Sequence, residues 1–553
     1  MRLLVLLLLP FIGLGQTRQE SLEKIMIDAG IPGMTIAYIK DAKLAELYNL
    51  GLRSNDTKEP VNKETVFDAA SLSKSVFAYG VMKLVEAGKL DLDKPVSTYL
   101  DYEDLRHDDR YKKITAAQLL SHTSGLPNWR NGKQLNFRYD PGQRFSYSGE
   151  GYVLLGKVVE KITGMGIEAW IQQTVLQPLG MTRSTYVWSE RFESNYAHPH
   201  SELGETDVKF YNYTPNMAAS LLTTGSDYAK FMIALLAQQG LKKPAFQAMF
   251  TGNSKSWFEK YENKIGWGLG LGHANSNGST SFWQWGDNGS YKAYMVGYPD
   301  KKEGLVYFTN SANGLAAGRH ISALFFKEPS EPLNWLDYMT FTSPTFQLLR
   351  KAMSEQVLIA IKPWVKEGSK RVDSTQLNEF SMNRVGSRLL DAGNYEAAAE
   401  IFELNLENYP RAIGAWQGLG VARLRVGQRD AAATAFERCY ELDSTRINGK
   451  KVADILRGKA DTTKGIKTTF KLAGNRNARS VQLVGSFNNW NDIQMPMKWE
   501  NGAWIISINL LPGTHLYKFV VDGVWTPDVA NPKVRPEDNM NSVIEVVAPT
   551  TGS

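Results

Sequence analysis

The sequence predicts a multidomain chain: an α/β (α+β) domain on a mixed antiparallel sheet, then an all-helical segment with an internal repeat, then a small all-β sandwich. Three textures predict it. From about 20 to 335, helical patterns alternate with strand-like runs such as GMTIAYI, YKAYMVGYP and EGLVYFTN, so strands come from both ends of the region. From about 376 to 445 every pattern is helical, and Gly386, Gly393, Ala398 and Phe402 recur 34 residues later as Gly420, Gly427, Ala432 and Phe436. From about 466 to 548 the runs shorten and alternate.

The first residues, MRLLVLLLLPFIGLGQTRQE, carry one basic residue, an apolar run and the small residues Gly13 and Gly15. That run is shorter than the roughly 20 residues a bilayer span needs, so 1–15 reads as a secretory signal peptide. The expected location is periplasmic or secreted, with no membrane span after cleavage. Cys439 is the only cysteine, so no internal disulfide can form and stability must come from the cores. A formal charge of +6 is small for 553 residues, and no Lys/Arg cluster is interleaved with aromatics, which argues against nucleic acid as a partner. No His-rich or acidic group has metal-ligand spacing, so neither metal nor cofactor is expected.

Within the first region, SVFAYGVMKLVEAGKL places Val76, Phe77, Gly80, Val81, Leu84 and Val85 on one face and stops at Gly88. This predicts an amphipathic helix with Ser71 at its N-terminus. A serine hydroxyl is a poor nucleophile until a base takes its proton, and a lysine becomes that base only when its amine is neutral. On a helix, i and i+3 share a face, so Lys74 can reach back to Ser71. The backbone N–H groups of the helix N-terminus face an anion formed there. The rival reading makes Ser71 a helix cap with a solvated neighbour. Ser-x-x-Lys is a weak signal by itself, and SLEK at 21–24 also matches it. There is no G-x-S-x-G elbow.

The company Ser71 keeps is more specific. In order come FDAASLSKS, LLSHTSGLP, PGQRFSYSGEGYVLLG, PLGMTRSTY and FWQWGDNGSYKAYMVGYP. Over roughly 300 residues this succession resembles the serine β-lactamase and penicillin-binding superfamily, in its branch of class C β-lactamases and related esterases and D-peptidases. The resemblance implies that Ser71 is the acylated nucleophile, Lys74 its proton partner and Tyr147 a general acid or base. It implies that the third motif falls on Gln284, Trp285 and Gly286, and that the oxyanion is held by the N–H groups of Ser71 and Asp287. Two departures stand out: Gly149 occupies the place of the family's asparagine, and Gln284 that of its Lys or His. Without that cation, neutral esters are expected to be better substrates than penicillins, and Asp287 would repel an anion if its side chain faced the cleft. His122, in HTSGLP, is expected to make a structural hydrogen bond.

The 34-residue period resembles tetratricopeptide repeats, with the helix around FQLLRKAMSEQVLIAIKPWV expected to pack against two evident units. Farther on, WENGAW and VVDGVW each place an Asn-Gly or Asp-Gly turn between apolar runs, and Trp504, Ile506, Ile508 and Leu510 alternate as a buried strand face does. VQLVGSFNNWND, LPGTHLYKFVVDGVW and NMNSVIEV resemble the glycogen-binding module of AMP-activated kinase β subunits, an immunoglobulin-like sandwich. That resemblance implies sugar contacts at Trp490, Lys518, Trp525 and Asn541.

The resulting organisation is a hydrolase domain over 16–335, a helical linker over 336–375, helical repeats over 376–460 and the sandwich over 466–549. The expected partners are a small-molecule ester or D-amino-acid peptide, an α-glucan, and a protein docking on the repeats. The rival from another class is a non-catalytic binding scaffold that keeps the hydrolase fold.

Overall fold

The computed structural model describes residues 17–547, apart from 131–133, 203, 210, 253, 256–263, 277–278, 329, 353–377, 392, 444–446, 458–464, 477, 479, 489–494, 511, 523, 532 and 536–540. The expected leader at 1–15 and Trp490 therefore lie outside the described residues. Two compact units divide the chain, Met1–Thr342 and Ser343–Ser553.

The first unit starts with helix α1 (Arg18–Ala29), whose N-cap Thr17 and Glu20 form a capping box. Hairpin β1 (Gly33–Lys40) and β2 (Lys43–Gly51) follows, and a short pair, β3 (Phe67–Asp68) with β4 (Leu222–Thr223), lies outside the main sheet. Between these come α2 (Ser73–Glu86), α3 (Ala116–Leu120), α4 (Gly149–Thr163) and α5 (Ile167–Ile171), and α6 (Gly225–Leu236) comes after β4. The remaining strands are β5 (Ser254–Lys255), β6 (Ile265–Trp267), β7 (Gly272–Ser276), β8 (Ser279–Asp287), β9 (Lys292–Tyr298) and β10 (Glu303–Thr309). They join the first hairpin in one sheet ordered β2-β1-β10-β9-β8-β7-β6-β5.

Strands from both ends of the region thus meet at β1 and β10, paired from Met34↔Thr309 to Ile39↔Gly304. Every pairing among the described strands of this sheet is antiparallel, in keeping with the antiparallel sheet expected from the sequence. Hairpin connections between successive strands produce that direction. Helix α2 is buried along nearly its whole length, with Val76, Phe77, Ala78, Tyr79 and Val81 in the main core. Gly80 sits where a Cβ would lie 2.9 Å from Trp170 of α5, and Gly88 ends the segment in a left-handed turn at φ 67°.

In the second unit, Leu348 and Leu349 of the helix Pro344–Ala352 share a core with Met382, Val385 and Leu389 of the helix Glu379–Asp391. The helices Tyr395–Asn408, Ile413–Arg425, Arg429–Leu442 and Ile447–Leu456 continue the array. The 34-residue recurrence has a physical counterpart. A Cβ on Gly386 would lie 2.6 Å from the Phe402 ring, and one on Gly420 would lie 2.8 Å from the Phe436 ring. Each glycine lets a phenylalanine of the following helix close against its backbone.

The sandwich comprises β11 (Ile466–Ala473), β12 (Val481–Gly485), β13 (Lys498–Glu500), β14 (Ala503–Leu510), β15 (Gly513–Val521), β16 (Val524–Thr526), β17 (Val534–Arg535) and β18 (Asn541–Val546). One sheet runs β11-β14-β13; the other runs β12-β15-β18-β17, with β16 on β15. Asn501 and Gly502 both take positive φ at the β13–β14 turn, as the Asn-Gly signal requires. Leu510 is buried, and Trp504, Ile506 and Ile508 pack partly buried against Phe470, Leu483 and Phe519.

Phe402 also fills the space left by Gly418, so truncating it opens a cavity between three helices. Phe402→Ala is expected to destabilise the helical array by about 3–5 kcal/mol, the usual cost of removing a buried ring. A lowered transition midpoint for the second unit in scanning calorimetry is the check.

Candidate active site

Ser71 lies in a 3-10 turn, Ala70–Leu72, that runs directly into α2. The helix N-cap is Leu72, with no side-chain capping bond, so the Ser71 hydroxyl is not spent as a cap. Ala70 takes a left-handed φ of 46°, a strained conformation for a residue with a side chain. The turn is anchored on several sides. The Ala69 N–H donates to the Leu221 carbonyl, the Leu221 N–H donates to Ser73 Oγ, and the Tyr228 and Tyr186 hydroxyls donate to the carbonyls of Leu72 and Ser73.

Lys74, on the first turn of α2, is fully buried. Its Nζ donates to Ser71 Oγ at 3.0 Å and to the Ala218 carbonyl at 2.8 Å, and lies 4.8 Å from the centroid of the Tyr147 ring. No carboxylate compensates the charge, so burial lowers its pKa from 10.5 to about 7. The sequence-predicted i, i+3 reach is therefore realised, and in the environment that makes an amine a base.

Tyr147 is placed by the loop that includes HTSGLPNW. His122 Nδ1 accepts from the Ser148 N–H at 3.0 Å, Ser148 Oγ donates to the Pro127 carbonyl, and Asn128 Oδ1 accepts from the Gly149 N–H at 3.0 Å. Ser148 then caps α4 by accepting from the Gly151 N–H. His122 is buried and held neutral by desolvation and by Lys74, its ring tilted against Tyr147 with centroids 4.2 Å apart; its bond is the structural kind expected. Burial pushes the Tyr147 phenol above its ordinary pKa, and hydrogen bonding to Ser71 and Gln284 offsets part of the shift.

Gln284 is buried on β8, and its Nε2 donates to the Ser71 carbonyl at 3.0 Å and to the Tyr147 hydroxyl at 3.2 Å. A neutral amide thus stands beside the serine and tyrosine where a cation would otherwise be. Gly286 explains how close the strand comes: a Cβ there would lie 2.7 Å from the Ala69 carbonyl and 3.1 Å from Ala70 Cβ. Ser71, Lys74, Tyr147, Gln284, Gly286 and Asp287 are therefore brought together.

Sequence reasoning missed two features. The Asp287 carboxylate is paired with Lys292, bonded by the Tyr338 hydroxyl and accepts from the Gly289 N–H, so it does not stand as the lone repelling charge that the sequence suggests. The signal is the β8–β9 register, which sets Asp287 opposite Lys292. The second is Trp129, whose ring atoms lie 2.6–2.8 Å from where a Cβ on Gly149 would be. The asparagine is not merely missing; an indole occupies its room. Trp285, 4.6 Å from the Tyr147 ring, and Trp335, 5.9 Å from Trp285, add aromatic surface beside it.

In the sandwich, Lys518 faces Val484, and Trp525 faces Val520. Asn541 points to the same side as Val543, which pairs with Leu516. By alternation these three residues share the face of β15 opposite Tyr517 and Phe519, which enter the core. Trp525 is 45% exposed on that face, as a stacking ring must be.

Residues 19–324 match the family model Beta-lactamase, and residues 466–551 match the model for the glycogen recognition site of AMP-activated protein kinase. Protein flp of Staphylococcus aureus (strain NCTC 8325 / PS 47) is 27% identical over 192 residues, 32% of this chain and 38% of flp. Penicillin-binding protein 4* of Bacillus subtilis (strain 168) is 26% identical over 301 residues, 48% of this chain and 64% of that protein. The chain thus spans less than two thirds of either relative. The octameric penicillin-binding protein homologue from Pyrococcus abyssi aligns with a TM-score of 0.51 at 26% identity, over 60% of this chain and 81% of that one.

A buried lysine with a pKa near 7 is a stability cost. Its folded pKa lies below the unfolded value, so the penalty is complete below about pH 7 and fades as pH rises toward 10.5. The shift corresponds to about 4 kcal/mol at neutral pH, against about 1 kcal/mol for each hydrogen bond lost. Lys74→Met is therefore expected to stabilise the first unit by about 2 kcal/mol at pH 7 and by less at pH 9. Thermal melts at the two pH values check both the sign and the trend.

Proposed function

The chain belongs to the β-lactamase family and has its serine hydrolase fold, and from that premise we propose that it is an exported hydrolase acting through an acyl-enzyme at Ser71. The observation that carries the reading is the Lys74 amine, buried without a counter-charge and 3.0 Å from Ser71 Oγ. A scaffold that had lost catalysis would have no reason to keep so costly a group.

Neutral Lys74 accepts the Ser71 proton as Oγ attacks the ester carbonyl. The oxyanion forms against the N–H groups of Ser71 and Asp287, two donors together worth several kcal/mol of barrier. Tyr147, protonated because its pKa is raised, gives its proton to the leaving alkoxide and is reprotonated through Lys74. Water then attacks the acyl-enzyme by the reverse relay and releases the acid, so the net reaction consumes one water per ester.

The substrate is a neutral ester, of which an acylated saccharide is one form. Support comes from Gln284 bringing no charge, from Lys292 being engaged with Asp287, and from the indoles of Trp129 and Trp285 beside Lys74 and Tyr147. The sandwich binds α-glucan through Lys518, Trp525 and Asn541, with Trp490 as a fourth contact. The helical array is a spacer or protein-docking segment. The leader at 1–15 directs the chain to the periplasm or outside the cell.

Ser71→Ala is expected to abolish labelling by a fluorescent fluorophosphonate, and Tyr147→Phe to slow it by about 10²–10⁴-fold. In the wild type the labelling rate should climb with pH through about 7 and then level off, because only the neutral Lys74 amine takes the proton. Labelling that persists in the Ser71 variant refutes the assignment.

The same preparation should show a much higher kcat/KM for a short-chain p-nitrophenyl ester than for a penicillin or a D-Ala peptide. Efficient penicillin turnover would mean that a carboxylate is recognised after all.

Trp525→Ala should weaken retention on glycogen affinity gels and leave ester hydrolysis unchanged. Unretarded wild-type protein would make the sandwich a spacer.

A further inference from the structure

Asp68, at the end of β3, takes no part in the proton relay above, yet it is buried and has no cation as partner among the described residues. Its Oδ1 accepts two hydrogen bonds: from the Ala70 N–H at 2.7 Å and from Asn288 Nδ2 at 3.0 Å. The first bond closes a turn two residues long over Ala70, the residue with left-handed φ immediately before Ser71. The second reaches the residue immediately after Asp287. Asn288 Nδ2 also donates to the Ala219 carbonyl at 3.1 Å, one residue from the carbonyl that receives the Lys74 amine.

One carboxylate oxygen therefore ties together the two backbone segments whose N–H groups face the developing oxyanion, and Asn288 ties both to the Lys74 seat. We propose that Asp68 is a positioning residue that sets the separation of the Ser71 and Asp287 N–H groups through its bonds to Ala70 and Asn288; this rests on the acyl-enzyme reading.

The chemistry fits the task. Ala70 in the left-handed region is strained by its side chain and persists only if something over-determines it. A carboxylate accepting two N–H bonds supplies that hold, since hydrogen bonds to an ionised acceptor are roughly twice as strong as neutral ones. Burial raises the Asp68 pKa to about 6, so the group still carries its charge at neutral pH. Asp68 makes no contact with substrate in this scheme, and it acts on the acyl-transfer transition state only through the donors that it spaces.

The test uses the full chain, four single variants and one double variant, with hydrolysis of a p-nitrophenyl ester and fluorophosphonate labelling as readouts. Asp68→Ala removes the shared acceptor and should lower kcat by about a hundredfold at nearly unchanged KM, as expected when oxyanion donors are displaced but substrate binding is not. Asp68→Asn keeps an oxygen able to accept both bonds and should recover kcat to within about tenfold of wild type. Asn288→Ala, at an exposed position, should lower kcat by about tenfold and should add little to Asp68→Ala in the double variant, because both break the same link. Ser71→Ala separates the two claims: if it keeps activity, the acyl-enzyme reading fails. If it is inactive while Asp68→Ala and Asn288→Ala keep wild-type kcat, or raise KM alone, the positioning role is overturned. Asp68→Asn no better than Asp68→Ala would also overturn it, since acceptor geometry would then not be what matters. Should Asp68→Ala fail to fold, Asp68→Asn and Asn288→Ala decide the question by the same criteria.

Discussion

Holding the Lys74 amine out of water is the constraint around which the first unit is arranged, because an exposed lysine keeps its proton near neutrality and leaves a neighbouring serine inert. Among the described residues the amine has Ser71 Oγ and the Ala218 carbonyl as its hydrogen-bond acceptors, and rings of Trp129, Tyr147 and Tyr152 around it. None of these is an anion. A single carboxylate in their place would hold the proton and end the chemistry proposed for the site. The aromatic surroundings are thus as functional as the polar ones.

Such a site must be closed from several directions, and each closure is made by a small residue or a loop bond. Gly286 brings β8 against Ala69 and Ala70, while Gly270, where a Cβ would lie 2.1 Å from Ala78, lets the loop before β7 settle on α2. The loop carrying His122 and Asn128 is stapled to the segment carrying Tyr147 by bonds from consecutive N–H groups. Rigidity comes from backbone groups that are satisfied in one arrangement only.

Much of this was legible in the sequence, and the division follows distance along the chain. Ser71 and Lys74 could be paired because three residues on a helix are a local relation, and the alternating Trp504, Ile506, Ile508 and Leu510 could be assigned to one strand face for the same reason. The partners of Gln284 could not be read, because its bonds reach Ser71 and Tyr147 across 213 and 137 residues. The Asp287–Lys292 pair needed the hairpin register, and a one-residue slip would have turned the two side chains to opposite faces. Asp68 was invisible for a different reason: its bond to Ala70 is local, but nothing in the string FDAAS marks Ala70 as left-handed.

The contact between Trp129 and Gly149 carries an evolutionary consequence. Since the indole stands 2.6 Å from the place of a Cβ, a side chain at 149 requires Trp129 to shift, and removing Trp129 takes away a ring beside Lys74. Neither single step is neutral. The two positions are therefore coupled: a side chain can be accommodated at 149 only together with a change in the place or identity of the residue at 129.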